Sequence, residues 1–128
     1  MAYPPLHAYP PHVPALWEQA ADKPPLRIPC TTRREAEALR FRLTGWRSRA
    51  RDLAHTPNPH LTEDDQMASL ALAGRVQRHT VHVDQGADGQ WFVELRDGVA
   101  PYTLLRPSWL REQEARLQDL FTSTRQPD

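Results

Sequence analysis

Cysteine occurs once in this 128-residue chain, lysine once and glycine five times. A lone Cys30 excludes an internal disulfide framework and is the usage expected of a reducing cytoplasm. Scattered glycines leave no phosphate-cradling loop, since Gly86 and Gly89 belong to the turn of an expected hairpin. No apolar run approaches the length of a membrane span, and proline interrupts the N-terminal region where a secretory leader would need a continuous apolar core. Neither a membrane protein nor a leader is therefore expected. Neither sign of charge dominates: 16 basic residues balance 16 acidic ones, which argues against a surface uniformly attractive to nucleic acid.

Arginine and proline are plentiful instead. All basic residues except Lys23 are arginine, a side chain suited to planar, bidentate contacts with phosphate and carboxylate. An arginine-, alanine- and proline-rich chain is also what a GC-rich genome encodes, so the placement of the arginines carries more weight than their number. The length allows one domain with flanking tails. Eight of the thirteen prolines fall within residues 1–29. Proline fixes φ and removes a donor, so residues 1–25 are expected to form an extended, polyproline-like arm. A near-repeat within it, Ala2-Tyr3-Pro4-Pro5-Leu6-His7 followed by Ala8-Tyr9-Pro10-Pro11-His12, would bring Tyr3 and Tyr9 to one side. Tyr3, Pro4, Pro5, Tyr9, Pro10 and Pro11 are then candidates for docking into an aromatic-lined groove of a protein partner. The competing expectation is an arm packed over its own domain, with Leu16 and Trp17 as the docking point.

Downstream, residues 26–122 are expected to form one α+β domain and residues 123–128 a frayed tail. Leu26 to Cys30 alternates in polarity as a short strand, with Pro29 confining it to an edge. Thr32-Arg33-Arg34-Glu35 has the form of a helix capping box. Ala36, Leu39, Leu43, Trp46, Ala50 and Leu53 then recur at spacings of three and four, predicting an amphipathic helix over 32–54 with Gly45 as a mild weakness. Pro57 and Pro59 end it. Thr62-Glu63-Asp64-Asp65 opens a second helix whose inward side is expected to be Met67, Leu70, Ala71 and Val76. A hairpin follows, Thr80–Val83 and Gln90–Leu95 joined through Gly86–Gly89, with Val81 and Val83 facing Trp91, Val93 and Leu95. Residues 99–105 suggest a further edge strand and 108–121 a last helix. The fold class is thus a small antiparallel sheet, a hairpin plus edge strands, covered by two or three helices.

The chemistry concentrates on the first long helix. Arg33, Arg34, Arg40, Arg42, Arg47, Arg49 and Arg51 oppose only Glu35, Glu37 and Asp52. At about 100° per residue, Arg33, Arg40, Arg47 and Arg51 fall along one flank of the apolar seam, while Arg34, Arg42 and Arg49 occupy the outer face. Acids dilute the first turn, so Arg40, Arg42, Arg47, Arg49 and Arg51 are the candidate contacts to a nucleic-acid backbone, DNA or RNA. The bland role is also open: arginine stems cover apolar surface, and the charges suit a helix C-terminus or the acids at 63–65. An acidic protein surface is a further possible partner.

Other chemistry has thin support. His55, His60, His79 and His82 lack the accompanying ligands of a zinc site, so no metal or cofactor is expected. Cys30 without a paired motif reads as a buried thiol, and Glu63, Asp64 and Asp65 as helix-starting acids rather than a catalytic pair. No enzymatic activity is expected. Trp91 or Phe92, whichever faces outward, would make a base-stacking platform if joined by Tyr102 or His82. The segment Ile28-Pro-Cys-Thr-Thr-Arg-Arg-Glu-Ala-Glu-Ala-Leu-Arg-Phe-Arg-Leu and onward to Arg51 resembles small uncharacterised bacteriophage proteins, in which a short strand leads into a helix with an acidic-alanine start, a Leu-Arg step and spaced arginines. The resemblance spans residues 28–51 alone and transfers no functional residue. It implies a phage or mobile-element accessory protein. The residues themselves point to a non-enzymatic cytoplasmic protein that contacts nucleic acid, with a protein-binding adaptor or inhibitor, or a component of a larger assembly, as the alternatives.

Overall fold

A computed structural model describes residues 2–98; the strand expected over 99–105, the helix over 108–121 and the tail lie outside the described residues. The elements run as a short 3-10 turn at Leu6–Ala8, α1 (His12–Asp22), β1 (Leu26–Cys30), α2 (Arg33–Asp52), α3 (Glu63–Arg75), β2 (Thr80–Gln85) and β3 (Trp91–Arg96). The three strands form one antiparallel sheet in the order β1-β3-β2. This is an α+β fold with a small sheet. Among the described residues no helix is long and apolar enough to cross a membrane.

Local chemistry explains the element boundaries. The Thr32 hydroxyl accepts from the Glu35 N–H at 3.1 Å and caps α2. The Glu35 carboxylate reaches one residue further back than a strict capping box, accepting from the Thr31 N–H at 3.0 Å. Thr62 caps α3 in the same way through the Asp65 N–H. At the hairpin, Gly89 sits at φ 85°, a backbone conformation that costs glycine little. The register places Val81 opposite Leu95 and Val83 opposite Val93, as alternation predicts. These residues and Cys30 face the helices, where Leu43, Trp46, Leu70 and Val76 complete the core.

The extended arm is corrected by α1. Residues 12–22 are helical and place Val13, Trp17 and Ala20 in the core. Pro11 is the N-cap and Pro14 the third helical residue, positions where a missing N–H leaves no intrahelical bond unmade. The prolines therefore start the helix instead of preventing it. The inward face of α3 also differs from expectation. Leu70 and Val76 are buried, but Met67 and Ala71 are only half-buried, while Gln66 and Ala73 point inward. Gln66 earns its place by hydrogen bonding: its side chain accepts from the Asn58 N–H at 2.9 Å and donates to the Leu61 carbonyl at 3.1 Å, fixing the loop between α2 and α3.

Gly45 in the middle of α2 is a contact point and not merely a weak position. A Cβ there would run into the Tyr9 hydroxyl and lie 2.7 Å from a Tyr3 ring carbon. Both tyrosines of the near-repeat thus converge on one notch, with the Tyr9 hydroxyl buried and unpaired among the described residues. Alanine normally stabilises a helix by about 1 kcal/mol relative to glycine. Gly45→Ala is instead expected to cost about 1–3 kcal/mol through overpacking; urea denaturation giving a more stable variant would remove the notch from the account.

Candidate functional site

The seven arginines of α2 divide into those the fold consumes and those it leaves available. Arg47 belongs to the first group. Its guanidinium lies 4.8 Å from the Trp17 ring centroid and donates to the Val76 and His79 carbonyls at 3.0 and 2.6 Å. Trp17 is itself fully buried and donates its indole N–H to the Leu43 carbonyl at 3.0 Å. Burial lowers the Arg47 pKa, the neighbouring Arg51 charge lowers it further, and Tyr3 opposes both. An arginine so placed still carries its charge at any physiological pH.

Arg49 is spent as well. It donates to the carbonyls of Tyr3 at 2.6 Å and Pro4 at 3.2 Å, holding the N-terminal segment against α2, and lies 3.6 Å from the Asp52 carboxylate. The expected partner-docking residues are consequently engaged within the chain. Tyr3 and Tyr9 pack at Gly45, Leu6 is buried, and Pro4, Pro5, Pro10 and Pro11 remain exposed on the outer side. Burial raises the Tyr9 phenol pKa, partly offset by Arg49.

Arg33, Arg34, Arg40, Arg42 and Arg51 remain exposed. Arg40 approaches Glu37 at 3.8 Å, a loose pair one turn apart that holds the side chain weakly. Between Arg40 and Arg42 lies Phe41, a large hydrophobic residue left 37 % exposed, with its ring 5.0 Å from that of Tyr3. Beside this aromatic pair a cleft of about 380 Å³ opens along the predicted flank, lined by Tyr3, Thr44, Arg47, Ser48, Arg51, Asp52 and His55. The cleft thus gathers the exposed Arg51, the half-buried Arg47 and hydroxyl-bearing residues, and Tyr3 links it to the partly exposed Phe41.

The sheet does not supply the stacking platform considered for it. Phe92 faces away from the helices but is only 8 % exposed, because the Arg27 guanidinium lies 4.0 Å over its ring. Trp91 lies on the inner face and approaches Arg33 at 5.6 Å. His82 is paired across the sheet with Glu94 and contacts Thr80, while Tyr102 is outside the described residues. Glu94 is held between Arg27 and Arg96, at 2.9 and 2.5 Å. The aromatic on α2 was missed in sequence because Phe41 neighbours only arginines; its partner Tyr3 is distant along the chain.

His55 and His60 share a second cleft of about 630 Å³ with His7, whose ring lies 4.2 Å from that of His60 at a tilt of 33°. Among the described residues no three histidine, cysteine, aspartate or glutamate side chains gather as a metal site. The Cys30 thiol is buried, and burial together with Glu35 pushes its pKa up, favouring the unreactive protonated form. Comparison with known proteins offers no analogy for this arrangement: no family model, no curated protein and no solved structure matches the chain.

The outer sheet face yields a pH dependence. The Arg96 and Arg27 hydrogen bonds hold the Glu94 carboxyl below its ordinary value. A carboxylate whose folded pKa is depressed contributes stability above its unfolded value, about 4.3, and loses that contribution as pH falls through the folded pKa. Glu94→Gln should therefore lower stability at neutral pH and flatten the loss below about pH 4.3. Chemical denaturation at a series of pH values checks this, and parallel curves for the two proteins would refute it.

Proposed function

We propose that the protein is a non-enzymatic accessory protein that binds single-stranded nucleic acid along α2, of the kind the phage-like stretch 28–51 implies. The observation that carries the reading is the aromatic pair Phe41–Tyr3, with exposed Arg40 and Arg42 on either side of Phe41 in the chain and Tyr3 lining the cleft that holds Arg51. Guanidiniums attract the phosphate backbone and release its counterions, while an accessible ring stacks on any base without reading its identity. Net neutrality agrees with this arrangement, because the excess of positive charge is confined to one helix, seven arginines against three acids.

Arg47 and Arg49 leave the set of direct contacts inferred from sequence, since their donors serve the fold. They still add to the local positive potential. An acidic protein partner would be drawn by the same exposed arginines but would gain little from stacking on Phe41, which separates the two readings experimentally.

Titration of single- and double-stranded oligonucleotides across a salt series tests the proposal. Single strands should bind more tightly, with log affinity falling by about 0.7 per log unit of salt for each phosphate neutralised. Arg42→Glu and Arg51→Glu should weaken binding and flatten that slope. Phe41→Ala should cost about 1–3 kcal/mol without changing the slope. Absence of binding at low salt, or binding indifferent to all three substitutions, overturns it.

A further inference from the structure

We infer that the cleft on the α2 flank receives the terminal phosphate of a nucleic-acid strand, so that the protein recognises strand ends. The inference rests on the nucleic-acid reading above and deepens it. Its basis is the donor set. Arg51 is exposed at the cleft wall, the half-buried Arg47 adds a fixed positive charge, and Tyr3, Ser48 and His55, each carrying a side-chain donor, line the same space. A phosphodiester offers two free oxygens and one negative charge. A terminal monoester offers three strong acceptor oxygens and between one and a half and two charges at neutral pH. One exposed guanidinium, the fixed positive charge of a second and several neutral donors match the monoester better.

Shape and surroundings agree. At about 380 Å³ the cleft lies at the small end of ligand sites, enough for one end group. The carboxylate of Asp52 on its wall is offset by Arg49 at 3.6 Å. Helix C-termini ordinarily repel anions, yet the last carbonyls of α2 are occupied: Ala50, Arg51 and Asp52 accept from the N–H groups of Leu53, Ala54, His55 and Thr56. Tyr3 lines the cleft and its ring lies 5.0 Å from that of Phe41, which connects the phosphate position to a stacking surface.

The test compares oligonucleotides of one sequence carrying a 5′-hydroxyl, a 5′-phosphate or a 3′-phosphate, at fixed ionic strength. One phosphorylated end should bind about tenfold more tightly than the hydroxyl form, the worth of one charge-assisted hydrogen bond. Arg51→Gln and Ser48→Ala should each reduce that preference, while Arg42→Gln, outside the cleft, should weaken all three ligands equally and keep it. Thermal unfolding of each variant confirms that the fold persists. Equal binding of all three ends by the unmodified protein overturns the inference and leaves the nucleic-acid reading standing. Binding of none of them overturns both.

Discussion

The guanidinium of Arg47 is the point at which α1, α2, the end of α3 and the entry to β2 meet. It rises from α2, lies over Trp17 of α1, and donates to the carbonyls of Val76, at the end of α3, and His79, at the entry to β2. Each contact answers a cost that burial creates. A half-buried cation needs acceptors, and the last carbonyls of a helix need donors and carry partial negative charge. The face of an indole prefers a cation, with a worth of about 2 kcal/mol once water is excluded. His79 closes the circuit, placing its ring edge-on to Trp17 at 6.4 Å and within 3.3 Å of the Ala20 carbonyl. Val13 and Ala20 are buried beside Trp17, and Asp22 pairs with Arg75 of α3 at 2.9 Å, so this node acts with apolar packing and an ion pair to position α1.

That arrangement changes how the arginines are to be weighed. A helix with seven of them looks like a continuous cationic surface, but the fold withdraws Arg47 to the core and Arg49 to the N-terminal segment. In exchange, the segment held by Arg49 brings Tyr3 against Phe41 and forms one wall of the cleft. The stretch for which the sequence left partner docking and packing over its own domain both open is packed on the domain, and thereby becomes part of the candidate site. Structural and functional roles are neighbours on one helix: inward arginines position the surface and outward ones are free to contact a ligand.

Much of this was legible where the signal is local. The cap at Thr32, the apolar seam of α2, the hairpin with its register, and the edge strand that carries Pro29 all follow from residues close together in sequence. Helix α1 is obscured in the sequence because the density of prolines masks their positions; Val13, Trp17 and Ala20 have helical spacing, and Pro14 falls in the first turn. Gln66 broke the apparent apolar face of α3 because its burial is justified only by partners in the preceding loop. The roles of Gly45, Phe41 and Arg47 were hidden for another reason. Each is set by a residue far away in the chain, Tyr3 and Tyr9 for the glycine, Tyr3 for the phenylalanine, Trp17 and His79 for the arginine. Spacing along a helix ranks arginines by face, but it does not say which face another segment will cover.

The dependence of the fold on the Arg47–Trp17 contact is tested most directly by a double-mutant cycle in urea, with Trp17→Phe, Arg47→Met and the pair. If the two side chains act as one unit, the double variant should be more stable than the sum of the single losses implies, by about 1–2 kcal/mol. Additive losses would mean that each residue serves the fold independently, and would contradict the account of Arg47 as the junction of the structure.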